Sequence, residues 1–438
     1  MEKNTHQPNK NRERVDPQYL HDLAYKTILD LETPMGINAS GKEERYAAFF
    51  GRDSMITCLK LLRVHKKNPD QTYLRIIKNT IKTAIRLQGK DLNISSGEKP
   101  GKIIHEYREK GYYHLTNRPQ PWYVYPDKTL RNYDTTDSTL LFLILTAEYY
   151  NFTNDDNFIK ENLQSIYKAF SWAEKYGFKG GNKLFIEYQL HRPPHMGGLV
   201  NQGWMDSLDS ILIQGKPPEE PITLVETQGY YFKALRLWSE ILESIDEEKA
   251  RELSELARKL KEEFNKFFLM RSDDLNYFCY ALFDQKAHIL EVRSNPGHCL
   301  WSSVKSNGKW ESIIDEKFIG DVVDRIMKDD LFVQSAGIRT LSSTSQFFNP
   351  FSYHNGSIWP FDNGLIAEGF ENFGYMEESK KIKNGILSAV NFFGSVIELF
   401  CSDLEGNLYE YAEGSTRHGT RKQAWTAATV LDFVTDDV

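Results

Sequence analysis

Helical hydrophobic stripes that alternate with long irregular stretches constrain this chain more than any other feature of its sequence. Tyr231, Leu235, Trp238 and Leu242 recur at steps of three and four residues, the spacing at which one face of a helix packs on a core. Similar stripes predict twelve helices, at residues 17–32, 53–66, 70–89, 136–151, 155–176, 222–244, 246–269, 298–306, 314–328, 359–374, 376–397 and 423–435.

The stretches between these helices are longer than ordinary connections. Five of them are rich in Gly, Pro, Asn, His and aromatic residues, at residues 90–135, 177–221, 270–297, 329–358 and 398–422. Loops of this length usually build a functional site. Because they recur after about every second helix, we expect an α/α toroid of helical hairpins with its loops gathered at one end. The alternative, a helical solenoid, would show a repeat of about 34–47 residues, and the sequence has none.

We expect residues 17–438 to form a single all-α domain, because no strand-rich block of sandwich size occurs at either end. Residues 1–16 are polar and are expected to form a flexible tail. They contain no apolar segment, so they predict neither a signal peptide nor a membrane anchor. No apolar run reaches the roughly 18 residues of a transmembrane helix.

The charge of the chain argues against nucleic acid as a partner, and its cysteines indicate the redox compartment. The 54 basic and 61 acidic residues give a net charge of −7 without a basic stripe, so nucleic acid is not an expected partner. The four cysteines, Cys58, Cys279, Cys299 and Cys401, are scattered and form no CxxC pair. They predict free thiols in a reducing cytoplasm. The aromatic fraction of 13% fits either a large core or a carbohydrate cleft.

An acid beside a tryptophan in a loop is the strongest catalytic candidate. Asp206 lies between Trp204 and Ser207, and three prolines between residues 211 and 221 exclude a helix there. Partial burial against an aromatic ring keeps a carboxyl group protonated, which suits a general acid. The indole also offers a flat surface for a sugar. The alternative is a turn or N-cap residue, a common role of aspartate in loops.

Other polar segments lie beside aromatic residues at the ends of predicted helices. Asp53 or Ser54 could cap the helix that follows, or Arg52 and Asp53 could grip a sugar, the carboxylate accepting from two hydroxyls and the guanidinium donating to another. Gly229 lies inside a predicted helix, where glycine costs about 1 kcal/mol, so close packing or ligand approach is expected there. Segments of the same kind contain His105, Glu106, Tyr133, Asp137, Gln228, His298, His354, Trp359, Glu398 and Glu410. A salt-bridge network with a helix cap at Asp137, or ordinary surface acids, would explain several of these equally well.

Sequence motifs for other chemistries are missing. The chain has no GxGxxG, GxxxxGK[ST], HExxH or GxSxG segment. We therefore expect no nucleotide and no redox cofactor, and no residue is assigned to a metal ion. What remains is a set of carboxyl groups in loops rich in aromatic residues, and glycoside hydrolysis uses a pair of carboxyl groups.

Ten segments, in order, resemble the amylo-α-1,6-glucosidase domain of glycogen-debranching-type proteins. They are FFGRDS, HEYR, YDTTDST, NQGWMDS, VETQGYYFKAL, SNPGH, GIRTLS, NPFSYHNGSIWPFDN, ELFC and KQAW, and they extend from about residue 45 to 433. The chain also resembles glucosylglycerate and mannosylglycerate hydrolases and processing α-glucosidases. The resemblance implies an (α/α)6 toroid, a six-hairpin barrel, and an inverting exo-acting α-glucosidase. Its substrate would be an oligosaccharide or small glucoside, with α-1,6 bonds among the candidates.

The resemblance also implies roles for particular residues. Asp206 would be the general acid and Glu398 the general base. Glu410 is the alternative base, because Ile397 stands where the family usually has proline, and residues 408–411 resemble the glycerate-hydrolase branch. Arg52 and Asp53 would hold the glucose unit. The pocket would be lined by Trp204, His354 and Trp359, with Gln202, His105, Glu106, Tyr133, Asp137, Gln228 and His298 also expected to contact substrate.

Two other classes of function are compatible with these residues. A sugar epimerase or polysaccharide lyase on the same toroid would abstract a carbon-bound proton, with His105, His298 or His354 as the base. A non-catalytic sugar-binding protein would keep the pocket without turnover.

Overall fold

Helices dominate the computed structural model, which describes residues 15–178, 184–271, 276–284, 286–414 and 417–435. The α-helices in these ranges are α1 (Pro17–Leu31), α2 (Gly51–Lys67), α3 (Gln71–Arg86), α4 (Tyr113–Thr116), α5 (Ser138–Thr153), α6 (Asp156–Trp172), α7 (Val225–Leu242), α8 (Glu247–Phe267), α9 (Pro296–Trp301), α10 (Ile319–Ile326), α11 (Pro360–Asn372), α12 (Met376–Phe393) and α13 (Ala424–Val434).

The twelve predicted helices are confirmed, with ends that differ by at most five residues. Only the four-residue α4 was not predicted, because a single turn carries too few residues to show a helical period. Helix α9 starts earlier than expected since Pro296 occupies its first turn, where proline's fixed φ suits a helix start. Of the predicted tail, residues 1–14 lie outside the described residues, and Asp16 caps α1 by accepting from the backbone amides of Gln18 and Tyr19.

Six helices contact one another in sequence and return to the first. Helices α2, α5, α7, α9, α11 and α13 are neighbours in this order, and α13 contacts α2. The other long helices pack on them, α3 on α2, α6 on α5, α8 on α7, α10 on α9, α12 on α11 and α1 on α13. Burial follows the same division, because all eleven residues of α13 are buried but only five of the 21 in α8. The arrangement is consistent with the expected α/α toroid.

Short antiparallel strands occur in the connections. Two three-stranded ladders join Phe49–Phe50, Glu106–Arg108 and Leu130–Asn132, and Thr223–Leu224, Ala281–Phe283 and Ala287–Ile289. Two-stranded pairs join Glu32–Thr33 with Gly36–Ile37, Leu269–Met270 with Tyr277–Phe278, Val304–Ser306 with Lys309–Glu311, Phe332–Val333 with Gly337–Ile338, Phe400–Ser402 with Leu408–Glu410, and Ala412–Glu413 with Arg417–His418. These ladders give the long loops fixed shapes.

The buried interior contains an ion-pair network as well as apolar side chains. The Lys60 ammonium is almost wholly buried and lies 2.6 Å from a carboxylate oxygen of Glu368 and 3.1 Å from one of Asp432. It also donates to the carbonyl of Gly364. Helices α2, α11 and α13 are joined by these contacts. All four cysteines are buried and free, as expected.

Glycine 229 allows close helix packing. A Cβ added at this position would lie 2.5 Å from Ser302 Oγ and 3.2 Å from the Cα atom of Cys299, beside α9. Of the two explanations offered by the sequence, close packing is therefore confirmed for this glycine. Within the described ranges, no helix is long and apolar enough to span a bilayer.

Candidate active site

A cleft of about 460 Å³ brings together nine of the predicted site residues. This volume falls within the roughly 300–1,000 Å³ of small-molecule sites. Its lining includes Asp206, Glu398, Arg52, Asp53, Trp204, His105, Glu106, His354 and Trp359. These residues come from five separate parts of the sequence, so the tertiary fold assembles the cleft.

The loop that carries Asp206 is fixed by its own hydrogen bonds. The Asn201 amide donates to the Ser207 carbonyl (2.7 Å) and to Ser210 Oγ (3.1 Å), and that hydroxyl donates to the Met205 carbonyl (2.6 Å). The loop is thereby closed around Asp206, which faces the cleft with 24% of its side chain exposed. The N-cap alternative for Asp206 is wrong, because the residue precedes no helix.

Arg52 joins the start of α2 to the acid loop. Its guanidinium donates to Asp137 (2.6 Å), to the Gly203 carbonyl (2.7 Å) and to Asp206 (3.3 Å). Gly51 lets the start of α2 pack closely against Ile104, since a Cβ at Gly51 would lie 2.1 Å from the Ile104 carbonyl oxygen. Arg52 therefore positions the acid loop in addition to lining the cleft.

Asp53 follows Arg52 in the first turn of α2 and also faces the cleft. The helix-cap alternative is wrong, because the N-cap position is Phe50 and no side chain caps the helix. The Gln423 amide donates to Asp53 Oδ1 at 3.2 Å. Burial raises the pKa of Asp53 to about 8, opposed by Arg52 and reinforced by Glu398 and Asp206. Asp53 therefore lies within electrostatic reach of both Glu398 and Asp206.

Glu398 is held at the cleft by two hydrogen-bond donors. The Tyr353 hydroxyl donates to Oε1, and the Thr420 backbone amide donates to Oε2 at 2.9 Å. Glu398 is only 2% exposed. An ionised carboxylate is acceptor-only, so two donors fit its anionic form.

Glu410, the alternative base, lies elsewhere. It pairs with Phe400 in the strand register, is about half exposed, and forms an ion pair with Arg421. It is not among the residues that line the cleft. The structure therefore separates the two glutamates that the sequence left as alternatives.

Aromatic rings form one wall of the cleft. Trp204 lies edge-to-face with Trp359 at 5.7 Å between centroids, and His354 stacks on Trp359 at 5.1 Å. The Trp359 indole donates to the Tyr353 carbonyl at 3.0 Å, which fixes the ring. His354 also contacts Ser207 Oγ through Nδ1 (2.8 Å), so this wall and the acid loop support each other.

His105 and Glu106 line the cleft beside the strand Glu106–Arg108. Burial, with smaller contributions from Arg52 and Lys102, holds the pKa of His105 well below its ordinary value. Burial also raises the pKa of Glu106, although its ion pair with Arg108 opposes the rise. A neutral histidine at physiological pH is able both to donate and to accept a hydrogen bond.

Five predicted substrate-binding residues are not brought to the cleft lining. Tyr133 donates its hydroxyl to the Leu87 carbonyl, and Gln228 bonds the backbone of Ile186 and Leu224. Both are satisfied inside the protein. For Gln202, the backbone carbonyl accepts from Thr136, and the residue supports the acid loop from behind.

Asp137 and His298 also lie outside the cleft lining, where they contact residues that line it. Asp137 occupies the N-cap position of α5 without making a cap hydrogen bond, and it accepts from Arg52 instead. His298 is fully buried and stacks on the far side of the Trp204 ring, at 6.0 Å between centroids. Its nitrogens contact Asp362 and the Tyr230 hydroxyl, each at 2.7 Å.

Some supporting residues were missed by the sequence analysis. Arg293 is a buried guanidinium that donates to the carbonyls of His354 (2.8 Å) and Ser210 (2.7 Å), joining the acid loop to the aromatic wall. Tyr353 and Thr420 hold Glu398. Tyr353 stood in a segment already noted, but nothing in the sequence indicated which side chain it contacts.

Clustered carboxyl groups in an aromatic-lined cleft on a helical framework define a glycoside hydrolase, and this protein is one. It belongs to the amylo-α-1,6-glucosidase family, whose model matches residues 124–432.

Solved structures show the same fold. A GH63 mannosylglycerate hydrolase from Thermus thermophilus, in complex with Tris and D-glycerate, has a TM-score of 0.64 at 12% identity and covers 94% of this chain and 99% of its own. A glycosidase variant in complex with glucose has a TM-score of 0.61 at 12% identity and covers 96% and 97%. No curated protein sequence matches the chain significantly.

Proposed function

We propose that this protein is an inverting, exo-acting α-glucosidase that hydrolyses an oligosaccharide or small glucoside, with α-1,6 bonds among its substrates. The observation that carries the proposal is the meeting of Asp206 and Glu398 in one cleft, with Asp53 in electrostatic reach of both. An inverting glycosidase needs one carboxyl group as acid and a second as base.

Asp206 is the general acid in this proposal. A cluster of three carboxyl groups retains a proton at neutral pH, since the pKa of Asp53 is raised to about 8. In the proposed reaction a protonated Asp206 gives its proton to the glycosidic oxygen as the bond to the leaving group breaks. The hydrogen bonds of Asn201, Ser210 and Arg52 hold the acid in position during this step.

Glu398 is the general base. The donors Tyr353 and Thr420 stabilise its anionic form, which accepts a proton from water as the water attacks the anomeric carbon. Inversion requires a gap of roughly 6.5–9.5 Å between the two carboxyl groups to admit that water. Glu410 is less suited, because its side chain is exposed and paired with Arg421 outside the lining.

Exo action is supported by the graded burial of the cleft. Arg52, Asp53 and Glu398 are 3%, 7% and 2% exposed, whereas Leu208 on the same lining is 71% exposed. A terminal glucose unit fits the buried end, and the leaving group lies towards the exposed end. The family model supports the α-1,6 bond, and the structures that contain glucose or D-glycerate support a small glucoside.

We further propose that residues 17–438 form one (α/α)6 toroid. The closed order of contacts among α2, α5, α7, α9, α11 and α13 supports an inner ring of six helices. Four buried free thiols support a reducing, cytoplasmic location.

The test is turnover by matched variants on a panel of isomaltose, panose, limit dextrin, trehalose, sucrose, kojibiose and glucosylglycerate. Asp206→Asn and Glu398→Gln should each lower kcat by about 10²–10⁴-fold. Proton NMR of the wild-type reaction should show β-glucose before mutarotation, the product of inversion at an α-glucoside.

Glu410→Gln is the matched control, because it removes the same charge from the other candidate. It should keep wild-type turnover. If Glu410→Gln were inactive and Glu398→Gln active, the base would be misassigned, and wild-type activity in Asp206→Asn would exclude the acid.

The rival reaction classes have weaker support. An epimerase or lyase needs a base that reaches a carbon-bound proton. His298 is shielded behind Trp204, which leaves His105 and His354 of the three predicted histidines in the cleft lining. The same NMR experiment separates them, since a lyase yields an unsaturated sugar and an epimerase releases no aglycone.

A further inference from the structure

A second cavity, of about 640 Å³, is formed beside α1. Among the residues that the structure describes, none lines both this cavity and the cleft. Its walls come from α1, from the loop 41–44, from the residues that follow α12 and from the segment before α13. We name it the α1 cavity, and its lining includes Leu23, Leu31, Lys42, Glu43, Arg421 and Lys422.

Hydrogen bonds from Glu44 join two of these walls. Its Oε1 accepts from the backbone amides of Arg421 (2.6 Å) and Lys422 (3.1 Å), and its Oε2 accepts from that of Gly41 (2.9 Å). The Lys422 ammonium donates to Asp30 of α1 at 2.8 Å. The cavity is therefore enclosed by segments that are bonded to one another, as expected of a built site.

The α1 cavity combines an aliphatic surface with charged groups of both signs. Leu23, Leu31 and Val396 supply the aliphatic part. Three basic and three acidic side chains also line the cavity, so their formal charges cancel. Lys42 and Glu43 are exposed and form no ion pair within the described ranges. A donor and an acceptor therefore remain for a ligand.

A small neutral sugar matches this combination. The C–H groups on one face of a pyranose ring pack on aliphatic side chains, and the hydroxyls of the ring both donate and accept hydrogen bonds. A ligand with a net charge would meet as many like charges as opposite ones. None of the described residues of this lining is aromatic, so ring stacking does not contribute. We therefore expect weak binding, with a Kd of about 1–10 mM.

One segment of the chain contributes to both the α1 cavity and the cleft. Arg421 and Lys422 line the cavity, and Thr420 directly precedes them. The Thr420 backbone amide donates to Glu398 Oε2 at 2.9 Å, and the Thr420 carbonyl accepts from the Glu398 amide at 2.8 Å. A ligand that shifts the cavity wall therefore also shifts a donor of the proposed general base.

We propose that the α1 cavity binds a small neutral sugar, such as the glucose that hydrolysis releases, and that the bound sugar lowers turnover through Thr420. The Thr420 amide stabilises the anionic form of Glu398, so displacement of this donor weakens the base. The regulatory half of this inference rests on the proposed glucosidase function, and the binding half does not.

Fluorine NMR of a thiol-reactive trifluoromethyl label attached to Glu43→Cys measures binding. The label attaches at position 43, because the four native cysteines are buried. Titration with D-glucose should shift the resonance with a Kd of about 1–10 mM. The same label on Lys26→Cys, an exposed position of α1 outside the lining, is the matched control and should show no shift.

Two further substitutions fill the cavity from different walls. Leu23→Trp does so from α1, and Lys42→Trp does so from an exposed position that leaves the core intact. Each should abolish the shift of the label at position 43. Lys26→Trp adds the same side chain to α1 outside the lining and should leave the shift unchanged. A shift that survives both cavity-filling substitutions would come from sugar bound elsewhere and would overturn the inference.

Hydrolysis of para-nitrophenyl α-D-glucopyranoside tests the regulatory half. D-glucose at about 50 mM should lower the kcat of the wild type by about twofold, in addition to raising KM through competition at the cleft. Leu23→Trp and Lys42→Trp should keep the rise in KM and lose the change in kcat. D-glucuronate at the same concentration should leave the kcat of the wild type unchanged, and an equal effect of this anion would contradict a neutral ligand.

The failure of this inference is distinguishable from the failure of the proposed function. No saturable shift up to about 100 mM D-glucose, or a shift without any change in kcat, would overturn the inference while the glucosidase activity remained. If the wild type hydrolysed no glucoside, the proposed function and the regulatory half would both fail. The fluorine titration would then still decide whether the α1 cavity binds sugar.

Discussion

Asp53→Asn should make the protein more stable at neutral pH, although the residue lies in the cleft. Asp53 is 7% exposed, and burial raises its pKa from 3.8 to about 8. Between these values the folded protein keeps a proton that the unfolded chain has lost. The stability linked to protonated Asp53 is therefore complete below pH 3.8 and is lost as the pH rises through about 8. Asparagine cannot titrate, so the free energy of unfolding of the variant does not fall over this pH range for this reason.

The size of the stability difference follows from the interval between the unfolded and folded pKa values of Asp53. Each pH unit within this interval lowers the free energy of unfolding of the wild type by about 1.4 kcal/mol. From about pH 5 to about pH 7.5 the upper limit is about 3 kcal/mol. Arg52 opposes the rise in the pKa of Asp53, so we expect about 1–3 kcal/mol.

Urea unfolding of both proteins at the two pH values measures this difference. Subtracting the pH dependence of the variant from that of the wild type removes the titration of all other groups. Glu410→Gln, which removes an exposed acid, should follow the wild type. If Asp53→Asn also followed the wild type, Asp53 would be ionised in the folded protein and the reasoning would be refuted.

Three further predictions concern packing and positioning. Lys60→Met should lower the free energy of unfolding by about 1.5–3 kcal/mol in a urea titration, because Asp432 and Glu368 lose a buried ammonium partner while Arg63 still pairs with both; an unchanged midpoint would contradict it. Gly229→Ala should cost about 1–3 kcal/mol, since the added methyl would collide with Ser302, and thermal unfolding against the wild type checks this. Arg293→Lys should lower kcat about 10²-fold with the fold intact by circular dichroism, because the acid loop loses its clamp to the aromatic wall; wild-type kcat would show that the loop holds itself.

The helices and the location of the site in the loops were predictable from the sequence. A stripe such as Tyr231, Leu235 and Trp238 reflects local geometry, because the period of the helix fixes which residues share a face. The place of Asp206 in the cleft was also predictable, since an acid, a tryptophan and turn residues stand close together in the chain. These predictions needed no knowledge of distant contacts.

The roles of Glu398, Glu410, Arg52 and His298 needed the tertiary structure. Both glutamates belong to similar segments. The hairpin register pairs Glu410 with Phe400, and a long-range contact places Glu398 beside Tyr353. His298 looked like a ligand contact but supports Trp204 from behind. A polar residue near aromatic residues gives the same sequence pattern whether its side chain faces a cleft or is buried in the core.

The sequence by itself determined the helical framework, the family and the acid candidate, because these depend on local period and on the order of short segments. The tertiary structure decided which side chains share the cleft and which of the candidate carboxyl groups line it. Burial and electrostatic coupling are properties of neighbours in space, such as Asp53 with Glu398, which lie far apart along the chain. Contacts of this kind decide which of the candidate acids lie together in one site.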